Sequence, residues 1–253
     1  MNKRLEVKGL THAFGGLIVA SEITFDLEQG SRTALIGPNG AGKTTLVNLI
    51  SGALKAASGD IILEDRSVWG LGQAARARAG IVRTFQVGRL FRDLSVEDNI
   101  RLPALQHARA SFRFWSTKHT DQVVDQDIAS ILAALNLGAS AQKQVQTLPY
   151  GEQRLVELAI ALALKPRVLL LDEPAAGVPQ SESGVILEVI GKLPADLSVL
   201  LIEHDMDLVF KFANRILVMM NGALLCDGTP AEIAASEQVK QIYFGRGESI
   251  ANC

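Results

Sequence analysis

The sequence predicts an α/β fold: a mostly parallel core sheet flanked by helices, with an antiparallel β portion near the N-terminus and a helical portion in the middle. Three observations predict it. A glycine-rich turn at residues 37–45 lies between a short apolar strand, 32–36, and a helix beginning near 45. Two uninterrupted apolar runs, 168–171 and 199–202, suit strands buried on both faces of a parallel sheet, and each ends in charged residues. From 95 to 137 the pattern changes to helical periodicity.

The turn reads Gly37-Pro38-Asn39-Gly40-Ala41-Gly42-Lys43-Thr44-Thr45 and fits G-x-x-x-x-G-K-[ST] at every position. Its glycines let successive amides point inward as an anion-binding nest, and the following helix adds its positive N-terminal end. Lys43 would reach the β- and γ-phosphates of a nucleotide, and the Thr44 hydroxyl would ligate Mg²⁺.

Bulk properties narrow the classes. The chain has 253 residues, 48% hydrophobic and 21% charged, which excludes a disordered polymer, and no apolar run approaches a membrane span. Residues 1–7 are basic but lead into no apolar segment of secretory type, so a cytoplasmic location is expected. Cys226 and Cys253 make no disulfide framework, and His12, His107, His119 and His204 lack metal-ligand spacing, so no zinc site is expected. Net charge is −2, but residues 76–118 carry nine Lys or Arg against Asp93, Glu97 and Asp98. That positive stretch favours an acidic or polar partner.

In chain order, residues 3–8 and 23–27 alternate as half-buried strands, expected to be antiparallel, before a turn at Gln29-Gly30. Between them Phe14-Gly15-Gly16 places an aromatic on a loop, where it could stack on a purine or plug the small sheet. Residues 58–63 read as turn then strand, 73–78 as a helix stopped by Gly80, and 81–85 as a strand ending at Gln86. Ser95 caps a helix with acids in its first turn, and 121–137 form an amphipathic helix ending at Gly138. The basic, aromatic stretch 107–119 has the mixture used by single-stranded nucleic-acid sites, but reads better as a solvated loop whose aromatics dock on a partner or on the subdomain itself. Leu148-Pro149-Tyr150-Gly151-Glu152-Gln153 opens a helix to Leu164, broken at Lys165-Pro166. Residues 215–220 and 223–226 form a hairpin about Asn221-Gly222; 228–232 cap a helix, and another spans 238–244.

The strand 168–171 delivers Asp172 and Glu173 at its carboxyl end, where ligands bind in such sheets. Asp172 would hold the Mg²⁺ shell with Thr44, and Glu173 would polarise the water attacking the γ-phosphate. The strand 199–203 delivers His204, whose imidazole can hydrogen-bond a γ-phosphate oxygen.

Together and in this order, these residues resemble the nucleotide-binding subunit of ABC transporters over essentially the whole chain. The resemblance implies a P-loop NTPase fold of ABC ATPase type, as one domain whose catalytic core spans 1–94 and 151–253 and whose helical subdomain spans 95–150. Residues 37–45, Gln86, 148–153, 168–173 and His204 look like that family's Walker A, Q-loop, signature, Walker B and switch histidine. Phe14 looks like its adenine-stacking aromatic, and Gln86 like a Mg²⁺ ligand and γ-phosphate reporter. Two such subunits, identical or paralogous, then sandwich two ATP molecules, each signature helix pointing at nucleotide held by the other. Transmembrane permease subunits, and indirectly an external solute-binding protein, are the implied partners, and the chain would sit on the inner face of the cell membrane. No nucleic acid is expected, because ABC-type factors acting on it carry an inserted coiled coil or two phosphate loops. A non-hydrolysing regulatory binder fits poorly with Glu173 and His204. Locally, Arg83-Thr84-Phe85-Gln86, residues 90–99, Glu173-Pro174-Ala175-Ala176-Gly177, 202–206 and 241–245 are similar to importer ATPases for branched-chain amino acids and related amides. Urea-type importers and the lipopolysaccharide-exporting ATPase share part of this likeness.

One departure stands out. The family signature is Leu-Ser-Gly-Gly-Gln; here Pro149 replaces the serine and Tyr150 the first glycine. Pro149 has neither hydroxyl nor amide proton, so one γ-phosphate contact across the dimer is expected to be missing.

Overall fold

A computed structural model describes residues 2–84, 90–111, 118–178 and 180–244. Six strands form the core sheet in the order β10-β9-β3-β8-β7-β6. They are β3 (Arg32–Ile36), β6 (Ile81–Arg83), β7 (Val168–Asp172), β8 (Ser198–Ile202), β9 (Arg215–Met220) and β10 (Ala223–Gly228). All neighbours run parallel except β10, which returns antiparallel along β9. A second, antiparallel sheet has the order β2-β1-β4-β5, from β1 (Lys3–Phe14), β2 (Leu17–Glu28), β4 (Ser58–Leu63) and β5 (Arg66–Ser67).

Every residue of β7 and β8 is buried, as their apolar runs require. Leu170, Leu200 and Ile202 face helix α1 (Lys43–Ser51) and the antiparallel sheet, in one core with Leu46, Val47, Ile50 and Val7. Leu169, Leu171, Val199 and Leu201 face the other way, towards α5 (Tyr150–Ala163) and α6 (Gln180–Gly191). The core is therefore two apolar layers with the sheet between them, and α1 is wedged between the two sheets.

Several elements differ from expectation. The arms of β1 and β2 are 12 residues each and meet at a turn on Gly15-Gly16, with Phe14 opposite Leu17. Register shifts between Val7 and Leu10 and between Leu10 and His12 break the period-two alternation, which is why only 3–8 read as strand. Phe14 is thus the last residue of a strand, not part of a loop. Helix α3 (Val96–Ser111) runs on across Pro103 and takes in His107, and α4 (Lys118–Ala134) starts earlier than expected, so most of 107–119 outside 112–117 is helical. Helix α4 ends on Asn136, not Gly138: Asn136 has φ 57°, and its N–H and that of Leu137 return to the carbonyls of Ala133 and Leu132 in a Schellman arrangement. Helix α6 had no expectation attached; among its described side chains the buried apolar ones are Ile186, Val189 and Ile190.

Other terminators behave as read. Ser95 Oγ accepts the Asp98 N–H at 3.0 Å at the start of α3, Asn221 and Gly222 both have positive φ in the β9–β10 turn, and Thr229 with Glu232 forms a capping box on α8 (Pro230–Ala235). Among the described residues no helix is long and apolar enough to cross a membrane.

Candidate active site

The loop from β3 to α1 is seated against both sheets. A Cβ on Gly37 would lie 2.2 Å from the Met219 carbonyl oxygen of β9, and one on Gly42 2.4 Å from the Val19 carbonyl oxygen of β2. Gly42 also has φ 101°, a conformation costing other residues about 1–3 kcal/mol. Gly42→Ala is therefore expected to lower the unfolding midpoint by several degrees, at about 2–4 °C per kcal/mol for a chain of this size, and to weaken ATP binding; thermal denaturation with and without ATP checks both.

Gly42 caps α1 without a side-chain hydrogen bond, so the first-turn amides, with the positive end of the helix, have no side-chain acceptor there. Lys43, only 6% exposed, curls back so that Nζ donates to the carbonyls of Gly37 at 2.6 Å and Pro38 at 3.1 Å. Burial pulls its pKa down, and the nearby charges of Glu173 and Asp172 oppose that shift. The lysine, the loop and the two carboxylates thus form one electrostatic site. Thr44 is exposed and Thr45 half-buried; Pro38 and Asn39 lie on the loop before Gly40, and Ala41 is buried.

Asp172 ends β7 with its side chain fully buried. Its Oδ2 accepts from Arg83 Nη2 at 2.5 Å, and Arg83 also donates to Asn48 Oδ1 on α1, tying β6, β7 and α1 together. Its Oδ1 is buried with no partner among the described residues. Such an orphaned carboxylate oxygen, with the exposed hydroxyl of Thr44, fits a hydrated divalent cation that prefers oxygen donors. Sequence reasoning used Arg83 only as part of a likeness. A charged residue closing an otherwise apolar strand was the signal for its buried role.

Glu173 follows with φ 50°, unusual for a residue with a Cβ, and its N–H donates to the Ile202 carbonyl at 2.9 Å. This left-handed step turns the chain out of β7, and Glu173 Oε1 lies 2.5 Å from His204 Nε2 at the end of β8. With Glu173 ionised, that nitrogen carries the proton of the bond. Glu203, read beforehand only as a strand end, is 6% exposed; it accepts N–H groups from Ala175 and His204, and burial pushes its carboxyl pKa up.

The structure brings together Lys43, Asp172, Glu173 and His204. It does not bring 148–153 to them: among the described residues no hydrogen bond links that segment to the phosphate loop. Leu148 is buried, Pro149 caps α5, and Gly151 is buried behind Tyr150. Glu152 accepts from Ser140 Oγ, and Gln153 Nε2 donates to the Leu148 carbonyl. Tyr150 accepts from Arg154 at 2.6 Å and sits against Ala176 and Gly177 of its own chain. Phe14 is 52% exposed and meets His12 edge-on at 4.7 Å, so it does not plug the sheet. Gln86 lies outside the described residues.

Comparison with known proteins agrees with this geometry. Residues 20–176 match the family model described as ABC transporter. The chain is 37% identical to the high-affinity branched-chain amino acid transport ATP-binding protein BraF of Pseudomonas aeruginosa, covering 95% of this chain and 97% of that protein. It is likewise 37% identical to LivG of Escherichia coli strain K12, a protein of the same description, with the same coverage. A solved ATP-binding cassette of an ABC transporter in its ADP conformation superposes with a TM-score of 0.84 at 27% identity, covering 97% of this chain and all of that one. With its phosphate loop, acidic strand end and histidine assembled on that fold, the chain belongs to the ABC transporter family, as one of its ATP-hydrolysing cassettes.

Proposed function

We propose that the chain hydrolyses ATP to drive uptake of branched-chain amino acids or related amino acids and amides through a membrane importer. The observation that carries the enzymatic part is the Glu173–His204 contact of 2.5 Å at the ends of adjacent parallel strands, beside the Lys43 loop. The cargo rests on the likeness to BraF and LivG at 37% identity; an intermembrane phospholipid transport ATPase, MlaF of Haemophilus influenzae, is less similar at 30%.

In this reading the 37–45 amides and Lys43 bind the β- and γ-phosphates, and Phe14 offers its exposed face to the adenine. Thr44, Gln86 and, through water, Asp172 would hold Mg²⁺, which would supply neutralisation of the phosphate oxygens. Arg83 holds Asp172 in place through its bond to Oδ2. His204 Nε2–H can turn from Glu173 to a γ-phosphate oxygen, leaving the Glu173 carboxylate to accept the proton of the attacking water.

Among the described residues no hydrogen bond joins the signature segment of one chain to its own phosphate loop, which favours a site completed by a second ATPase subunit, a copy or a paralogue. Residues 95–150 serve as the helical subdomain, whose surface meets permease subunits on the inner side of the membrane, with a solute-binding protein acting outside; of the positive segment 76–118, Arg76 and Arg83 are engaged inside the fold and do not belong to that surface. Pro149 removes one hydrogen bond to a charged phosphate, an interaction of about 1.5–3 kcal/mol. Pro149→Ser is therefore expected to tighten ATP-dependent association about 10- to 100-fold, read by light scattering; unchanged association means that this position does not reach nucleotide. Co-purification with the membrane subunits, and identification of the solute that stimulates phosphate release in vesicles, tests the cargo. Stimulation by phospholipid and not by leucine, isoleucine or valine rejects it.

A further inference from the structure

Glu203 is a buried carboxyl that pairs with no Lys or Arg among the described residues. Its two hydrogen bonds are both to main-chain N–H groups: Oε1 accepts from Ala175 at 3.2 Å and Oε2 from His204 at 3.3 Å. Burying an acid without a cation is unfavourable, so a neutral side chain would serve better if only a filled space were needed. A neutral amide, however, offers one acceptor and one donor, and its NH₂ would confront whichever N–H its oxygen did not take. A carboxylate presents a separate acceptor oxygen to each amide, which is the arrangement seen.

Those amides belong to the two turns that matter. Ala175 is two residues beyond Glu173, whose φ of 50° persists only where the surroundings hold it. The second amide is that of His204 itself. The two turns leave neighbouring parallel strands, with Asp172 beside Ile202; the last main-chain bond between them is Glu173 N–H to the Ile202 carbonyl, and past it the regular ladder no longer sets their spacing.

We propose that Glu203 is a positioning residue for hydrolysis: its carboxyl fastens the turn bearing Glu173 to the turn bearing His204 and so sets the separation of those two side chains. The role rests on the ATPase reading above. It is distinct from chemistry, since both Glu203 oxygens are taken up by main-chain N–H groups; it acts through main chain on Glu173 and His204.

Glu203→Gln in the full chain is the test, with Mg-ATP turnover, ATP affinity from calorimetry and far-UV circular dichroism measured together. A displaced dyad is expected to lower kcat by about 10- to 100-fold, while ATP affinity stays within about twofold because the phosphate loop is untouched. In a single-turnover assay, Glu173→Gln/Glu203→Gln is expected to be no slower than Glu173→Gln alone, since a positioner has nothing left to position. Should Glu203→Gln not fold, Glu203→Asp, which keeps two acceptors on a shorter stem, carries the same comparison. Unchanged kcat in a folded variant, equal losses of kcat and affinity, or additive losses in the double variant each overturn the proposal. An unaltered chain that releases no phosphate from Mg-ATP sinks the ATPase reading itself; a Glu173→Gln variant that turns over at the wild-type rate overturns the positioning role, because the dyad it serves is gone; and an inactive Glu173→Gln beside a fully active Glu203→Gln sinks only the positioning role.

Discussion

Lys43→Ala is expected to reduce ATP hydrolysis by about 10²- to 10⁴-fold. The ammonium would contact oxygens of two phosphates, and each charge-assisted bond contributes about 1.5–3 kcal/mol, with every 1.36 kcal/mol a factor of ten. Removing it also takes away the group that gathers the carbonyls of Gly37 and Pro38, so the loop loses the shape in which its amides converge. Much of the loss should therefore appear as weaker ATP binding, visible by calorimetry, as well as slower phosphate release. Hydrolysis within tenfold of the unaltered chain would mean that the nucleotide lies elsewhere.

Glu173→Gln should separate binding from chemistry. The substitution preserves size and leaves Lys43 and the phosphate loop in place, so ATP affinity is expected to persist. An amide cannot take the proton of the attacking water, and loss of a general base costs about 10²- to 10⁴-fold. The variant should accumulate an ATP-bound, associated form on size exclusion, because closure no longer leads to hydrolysis. Wild-type turnover would remove Glu173 from the role and leave the base to be sought elsewhere.

Much of the core was legible because its signals are local. The phosphate turn, the apolar runs of β7 and β8, the Asn221-Gly222 hairpin and the Thr229 cap each declare themselves within a few residues. The illegible parts depend on register or on distance. Bulges hid the full arms of β1 and β2, and Asn136, not the nearby glycine, supplied the left-handed step that ends α4. Within the site, Asp172 ends its strand and His204 lies two residues past the end of the next, so both follow from those strands, whereas Arg83 meets Asp172 across 89 positions of sequence, a pairing no spacing reveals. Glu203 was hidden in a different way, since a charged residue at a strand terminus ordinarily faces water.

The two glycine contacts of the phosphate turn join parts of the molecule that are distant in sequence. Because Gly42 abuts Val19 on the outer antiparallel sheet and Gly37 abuts Met219 on the central one, the anion cradle is seated on both sheets at once. Any tilt of the outer layer must reshape the cradle. Forces applied to the N-terminal arm and the grip on triphosphate are thereby mechanically linked, without a hinge or a dedicated messenger segment.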